Sequence, residues 1–265
     1  MDEYLIQGST LADIADAIRE KTGDDSLMTP AEMVTAIGNI SGGGVDSGVE
    51  WTADANGNLI KAKIIGDTVP PCAFSYGFYS AQNAVTIDLT GVKTIGDYAF
   101  AYSNRCLIDF STVGDVEVCG AASFRFPAAS INSMSGQTAS FQKLTGVNSG
   151  NGIFRGANDY YPKTWTFPVM SSIPSLIFYG ASILNVSVTI GSIGYAVNQT
   201  GDRPFGGTTN ATGTITIYTT GSFLDTIKTG IQNGAGSGLQ FVYKASEATE
   251  YGGVSYAAGD TMLTN

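Results

Sequence analysis

The sequence predicts a mainly β protein: an N-terminal helical hairpin, then a right-handed β-solenoid, then a small C-terminal β tail. Short runs rich in β-branched residues recur along the middle of the chain, and phenylalanines recur between them at a near-constant interval. Charge is sparse and glycine abundant. Of 265 residues, 43% are hydrophobic, 14% are charged and 34 are glycine, about twice the usual ~7%. Such a chain has enough apolar mass for a core and many tight turns to make around it.

Residues 1–40 read as two short amphipathic helices. Thr10 and Asp13 stand at capping-box spacing, Leu11, Ile14, Ala15 and Ile18 share one helical face, and Gly23 is the stop. Thr29 repeats the device with Pro30 at the first helical position, Glu32 at the third, apolar Met33, Val34 and Ile37, and Gly38 as the C-terminal signal. A segment near the ~40-residue limit of independent stability cannot bury both stripes alone. Leu11, Ile14, Ile18, Met33, Val34 and Ile37 are therefore expected to dock on a copy of the module or on another protein, the bland alternative being the rest of this chain. The stretch 41–48 holds the Ser41-Gly42-Gly43-Gly44 joint. Residues 49–65 read as a β-hairpin turning at Asn56-Gly57.

The segment 66–243 carries the repeat. Strand-like runs stand at 85–89, 106–110, 164–168, 186–190 and 214–218. Phe74, Phe100, Phe124, Phe154, Phe178 and Phe205 follow at intervals of 26, 24, 30, 24 and 27 residues. One strand and one aromatic anchor per unit of ~20–29 residues is the pattern of a solenoid whose stacked coils share a core. The recurrence predicts that these rings form a core ladder rather than ligand contacts. Residues 244–265 form the expected β tail.

The chain has no histidine, which excludes Ser-His-Asp and Cys-His catalysis and most zinc sites. A formal net charge of −10, with Arg19, Arg105, Arg125, Arg155 and Arg203 in no run, argues against a nucleic-acid partner. Cys72, Cys106 and Cys119 fit neither a zinc spacing nor a complete disulfide framework and read as small buried residues of a chain made in a reducing cytoplasm. The acidic opening Met1-Asp2-Glu3-Tyr4 and the lack of a long apolar run predict neither a secretory signal nor membrane insertion. Carboxylate pairs are the remaining catalytic option: Asp88, Asp109, Asp115 and Glu117 could converge on stacked coils to cleave a polysaccharide, or simply keep the surface soluble. The reading is non-enzymatic, with no catalytic, cofactor or metal residue assigned. Tyr160 and Tyr161, beside Asn158 and Asp159, are candidate ligand contacts, and Tyr76 and Tyr79 flank Phe74.

Two resemblances add to this. VTIDLTGV followed by Thr94-Ile95-Gly96-Asp97-Tyr98-Ala99-Phe100-Ala101-Tyr102-Ser103 resembles a BspA-type leucine-rich repeat, with Ser103 where that family often has Cys or Asn. The segment from Thr216 to Lys228 resembles the closing strand and helix of such arrays. The first resemblance implies a leucine-rich-repeat-like solenoid, and the second a cap at its end. Leu11 to Gly23, then Met28-Thr29-Pro30-Ala31-Glu32-Met33 and Ala36-Ile37, resembles a module at the N-termini of tailed-phage and prophage structural proteins, and Tyr251 to Thr261 resembles a β tail found on them. This implies a virion appendage of a tail, baseplate or head fibre, assembled in the host cytoplasm. In it the hairpin attaches to other virion proteins or forms a homo-oligomer, a trimer above all, and the solenoid meets a bacterial surface polysaccharide or protein. The alternatives are a depolymerase on the same solenoid and a bacterial BspA-like surface adhesin.

Overall fold

The computed structural model describes residues 16, 49–75, 84–103, 106–125, 134–146, 151–183, 185–193 and 203–265. The chain divides into two compact units, Met1–Ser47 and Gly48–Asn265. Apart from Asp16, which is helical and exposed, the expected helical hairpin lies outside the described residues. The same holds for Leu11, Ile14, Ile18, Met33, Val34 and Ile37.

The second unit is a mainly β solenoid of about six turns. It opens on an antiparallel hairpin of β1 (Val49–Ala53) and β2 (Leu59–Ile64). Its turn is the expected one: Gly57 takes φ +82°, and the Asp54 carboxylate accepts from the backbone N–H groups of Asn56 and Asn58 at 2.9 Å each. From β2 to β12 (Leu239–Ala245) the strands pair in parallel. β2 pairs with β4 (Val85–Asp88), which pairs with β6 (Cys106–Ile108). On a second face the two-residue strands β3 (Thr68–Val69), β5 (Thr94–Ile95) and β7 (Val118–Cys119) form a parallel ladder of their own. The series resumes with β8 (Thr138–Ser140), β9 (Thr164–Phe167), β10 (Val186–Ile193) and β11 (Gly213–Thr219). Each of the five runs expected to be a strand contains one, although in 106–110 only Cys106–Ile108 is strand and Phe110 opens a 3-10 helix; along each strand side chains alternate between the core and the outside.

Between strand faces the chain turns at the phenylalanines. The N–H of each ladder phenylalanine donates to the carbonyl just before the next one: Phe74 to Ala99, Phe100 to Ser123, Phe124 to Ile153, Phe154 to Ile177 and Phe178 to Pro204, at 2.7–3.0 Å. The six rings stack in one column with centroid spacings of 5.2, 5.3, 5.3, 5.3 and 5.7 Å and interplanar angles of 10–25°. The expected core ladder is therefore observed. Each buried ring contributes roughly 2–3 kcal/mol through lost apolar surface. Around its middle, Phe141, Trp165 and Phe167 fill the remaining core, with the Trp165 indole donating to Pro162 O at 2.7 Å.

The turn geometry repeats as strictly as the rings. Two positions before the phenylalanine, Cys72, Tyr98, Ala122, Gly152 and Leu176 all have φ between +51° and +68°. Close approach of coils is built in at Gly96, whose added Cβ would lie 2.5 Å from Pro71 N.

The one long interval, 30 residues, falls where the first strand series ends. After β6 the chain enters a 3-10 helix, Phe110–Asp115, whose N-cap Asp109 accepts from Ser111 N. The ladder partner there is a side chain: Gln137 Oε1 accepts from Phe110 N at 2.6 Å, and its Nε2 donates to Ile108 O at 3.2 Å. A carboxamide offers the acceptor and donor of a peptide group, so it bridges the gap between the strand series.

The strand and helix expected to close the array are β11 and α1 (Gly221–Gln232), which buries Leu224, Ile227 and Ile231. They do not end it. β12 (Leu239–Ala245) adds in parallel to β11, and β15 (Thr261–Thr264) covers β12 in the antiparallel sense. Between them lies the hairpin of β13 (Thr249–Tyr251) and β14 (Val254–Tyr256), turned by Gly252-Gly253 with φ +59° and +78°.

The three thiols are free, and one departs from expectation. Cys106 and Cys119 are buried, which pushes them up to about 11 and about 12, but Cys72 is exposed because its turn position faces outward. The hydroxyls of Ser103 and Ser123 are buried without a full hydrogen bond, each having only the weakly accepting thiol of Cys106 or Cys119 nearby. An unsatisfied buried hydroxyl costs about 1–3 kcal/mol, and removing it relieves that cost. Ser123→Ala is therefore expected to raise the melting temperature by about 2–4 °C, equivalent to roughly 1 kcal/mol; a lower melting temperature by calorimetry would show that the hydroxyl is satisfied.

Candidate functional site

The acidic residues singled out in the sequence are tied down locally. Asp88 ends β4 and Asp109 follows β6, and each bonds the residue two further on. Asp88 accepts from Thr90 N at 3.0 Å and Thr90 Oγ1 at 2.7 Å; Asp109 accepts from Ser111 N at 3.1 Å and Ser111 Oγ at 2.5 Å. This is the turn chemistry of Asp followed by Ser or Thr, recurring at the coil period. Asp88 also pairs with Lys61 at 2.9 Å and Asp115 with Lys143 at 2.6 Å, while Glu117 is exposed.

Partial burial would raise the Asp88 carboxyl, but the bonds from Lys61 and Thr90 outweigh it and hold the group at about 2. Asp115 is lowered by Lys143, and Asp225 by Lys228 and Tyr251. Because these groups titrate below the ~3.9 of an unfolded aspartate, their stabilisation is complete above about pH 5 and is lost as pH falls toward 2. Melting temperature should accordingly fall between about pH 5 and pH 2, and Asp88→Asn should flatten part of that slope. A slope unchanged in the variant would remove Asp88 from the account.

The two candidate tyrosines separate. Tyr161 is 0% exposed, its hydroxyl donates to Phe124 O at 2.5 Å, and burial raises its pKa well above the usual value. It is a core residue and not a ligand contact, which corrects the expectation. Tyr160 is 41% exposed; its N–H donates to Asn158 Oδ1 at 3.1 Å, and its carbonyl accepts from Met134 N. Tyr76 and Tyr79 lie outside the described residues.

A different set of side chains gathers at the phenylalanine corner. Arg125, Arg155 and Tyr179 each directly follow a ladder phenylalanine, so they stand in one row on three successive coils. The Arg125 guanidinium lies 5.2 Å from the Tyr102 ring centre, and that of Arg155 lies 5.0 Å from the Tyr179 ring centre. One position further on, Gly156, Gly180 and Gly207 donate in turn to Tyr179 O, Gly206 O and Gly234 O at 2.8–2.9 Å. They form a track without side chains beside the row. A Cβ on Gly180 would meet nothing within 4 Å; one on Gly207 would touch Tyr179 at 3.5 Å, and one on Gly234 would touch Arg203 at 3.7 Å. Arginines scattered along the sequence are thus gathered by the repeat. The signal was legible as Phe124-Arg125 and Phe154-Arg155, the same pair one coil apart.

Among the described residues no cluster of three or more Cys, Asp or Glu could hold a metal ion, and no helix is long and apolar enough to cross a membrane. The small cavity between Phe178, Val188, Phe205 and Ile215 is apolar except for Thr208, whose hydroxyl donates to Phe205 O at 2.6 Å and accepts from Gly236 N at 2.9 Å. No protein-family model, no curated protein and no solved structure matches the chain.

Proposed function

We propose that the chain is a non-enzymatic structural protein of a tailed phage particle. In this reading it is a component of a tail, baseplate or head fibre, assembled in the host cytoplasm. Residues 1–40 attach it to other virion proteins and hold it as a homotrimer, and a right-handed, leucine-rich-repeat-like solenoid is displayed toward a bacterial surface polysaccharide or protein. The observation that carries the proposal is the use to which the solenoid puts its polar groups. Asp88 and Asp109 hold turns and Gln137 bridges strand series, so polar chemistry maintains a stack whose exposed rows present side chains at coil spacing. A protein built this way offers surface rather than a reaction centre. The N-terminal sequence pattern supplies the attachment half of the reading.

Light scattering tests the proposal. The full chain is expected at three times the protomer mass, while Ile14→Asp/Ile18→Asp, which places charge on the proposed apolar stripe, is expected to be monomeric with an unchanged solenoid melt. A monomeric full chain refutes the oligomeric attachment role.

A further inference from the structure

We infer that the phenylalanine corner, with Arg155, Tyr179, Arg203 and the glycine track, binds a carboxylate-bearing polysaccharide. This inference names the face and ligand class of the display role and rests on that reading.

The first argument is charge placement. In a chain of net charge −10, Lys61, Lys143, Lys163 and Lys228 each pair with an aspartate. Arg155 and Arg203, like Lys63, Lys93 and Lys244, have no carboxylate within ion-pair distance among the described residues, but only the two arginines lie at the phenylalanine corner. Arg125 and Arg155 moreover stand on adjacent coils of one row, where like charges disfavour stacking. Packing over the Tyr102 and Tyr179 rings holds the two guanidinium groups there against that repulsion. A guanidinium is the side chain that grips a planar carboxylate with two parallel bonds.

The second argument is shape. The exposed Gly180 and Gly207 leave a shallow floor, open above Gly180, with the Tyr179 ring at its edge, while Gly156 is buried. A sugar ring lies over Gly180 with a C–H face against the part of the Tyr179 ring that Arg155 leaves uncovered. A poly(glycerol phosphate) chain has no ring to place there, which favours a polysaccharide acid. Arg155 and Arg203 belong to coils two apart, roughly 10 Å at the ~4.8 Å strand spacing, comparable with two sugar rings of an extended chain. The acidic remainder of the protein does not forbid this, because its field is screened beyond about 8 Å at physiological salt.

Affinity electrophoresis of the full chain through gels containing polygalacturonate, poly(glycerol phosphate) or neutral dextran tests the inference. Polygalacturonate is expected to retard the protein, less so at high salt. Arg155→Ala/Arg203→Ala is expected to weaken retardation about tenfold. Gly180→Asn, which fills the floor with the residue that best tolerates the left-handed backbone, is expected to weaken it similarly, with both variants still melting in a cooperative transition lowered by only a few degrees. Equal retardation by dextran overturns the role of charge, and retardation by poly(glycerol phosphate) alone overturns the carboxylate. Retardation untouched by the variants, or none in any gel, overturns the corner. Each of these failures leaves the trimer measurement standing, so the display reading is judged separately.

Discussion

Phe154→Ala is expected to destabilise the solenoid by about 3–5 kcal/mol, the range for a fully buried phenylalanine that leaves a cavity. Phe154 sits in the middle of the column, 5.3 Å from both Phe124 and Phe178, and also meets Trp165 at 4.7 Å and Phe141 at 5.5 Å. Collapse around the cavity would have to move aromatic rings held on two sides, so little relaxation is available. Phe74→Ala should cost less, because Phe74 is the first ring of the column, 3% exposed, and among the described residues it stacks on Phe100 and meets the half-exposed Trp51 edge-on at 6.2 Å. Urea denaturation checks the order. Neighbour-only stacking also predicts that the central variant splits the single transition into two, as the coils on either side lose their coupling. Equal losses at the two positions would mean that the column does not act as a column.

Gln137→Ala is expected to cost about 2–4 kcal/mol, although the residue is polar and partly buried. Its loss leaves Phe110 N and Ile108 O without a partner, and each orphaned backbone group costs about 1–3 kcal/mol. Gln137→Glu separates the two bonds. At neutral pH the carboxylate still accepts from Phe110 N but cannot donate to Ile108 O, whereas the protonated acid can do both. This variant should therefore gain stability relative to the parent as pH falls through the carboxylate range, opposite in sign to the acid loss expected from Asp88. Thermal melts across pH measure the difference. A glutamate variant that follows the parent at every pH would show that the bridge carries no load.

How much of this was readable in the sequence depended on whether a residue repeats. The ladder was legible because Phe74 to Phe205 recur at the coil period, and β4, β9, β10 and β11 because alternating β-branched or aromatic residues mark them. The strands β3, β5 and β7 were not, since two residues carry no periodicity and Thr68-Val69 becomes a strand only by pairing with Thr94-Ile95. Thr138-Ala139-Ser140 is similarly mute: its small and polar residues become β8 through their partners in β9. Gln137 had no sequence signal, because a side chain replacing a backbone partner occurs once. Tyr160 and Tyr161 looked equivalent as neighbours in sequence, yet the turn closed by Tyr161 N donating to Asn158 O at 3.0 Å directs one outward and one into the core. Among the arginines the relevant coordinate was position within the coil, not distance along the chain.

The common offset of ring, left-handed residue and ladder bond also sets a rule for length. A whole inserted coil brings its own phenylalanine, turn residue and strand, and can join the column between two existing coils. Residues added within a coil leave the later rows in place only where a turn can absorb them, as across the 30-residue interval, and added within a strand they set core side chains outside. The molecule can therefore lengthen or shorten only in whole steps, each adding about 4.8 Å to the stack. In that sense it is a graduated ruler, on which the spacing between displayed side chains is fixed while the number of graduations can vary.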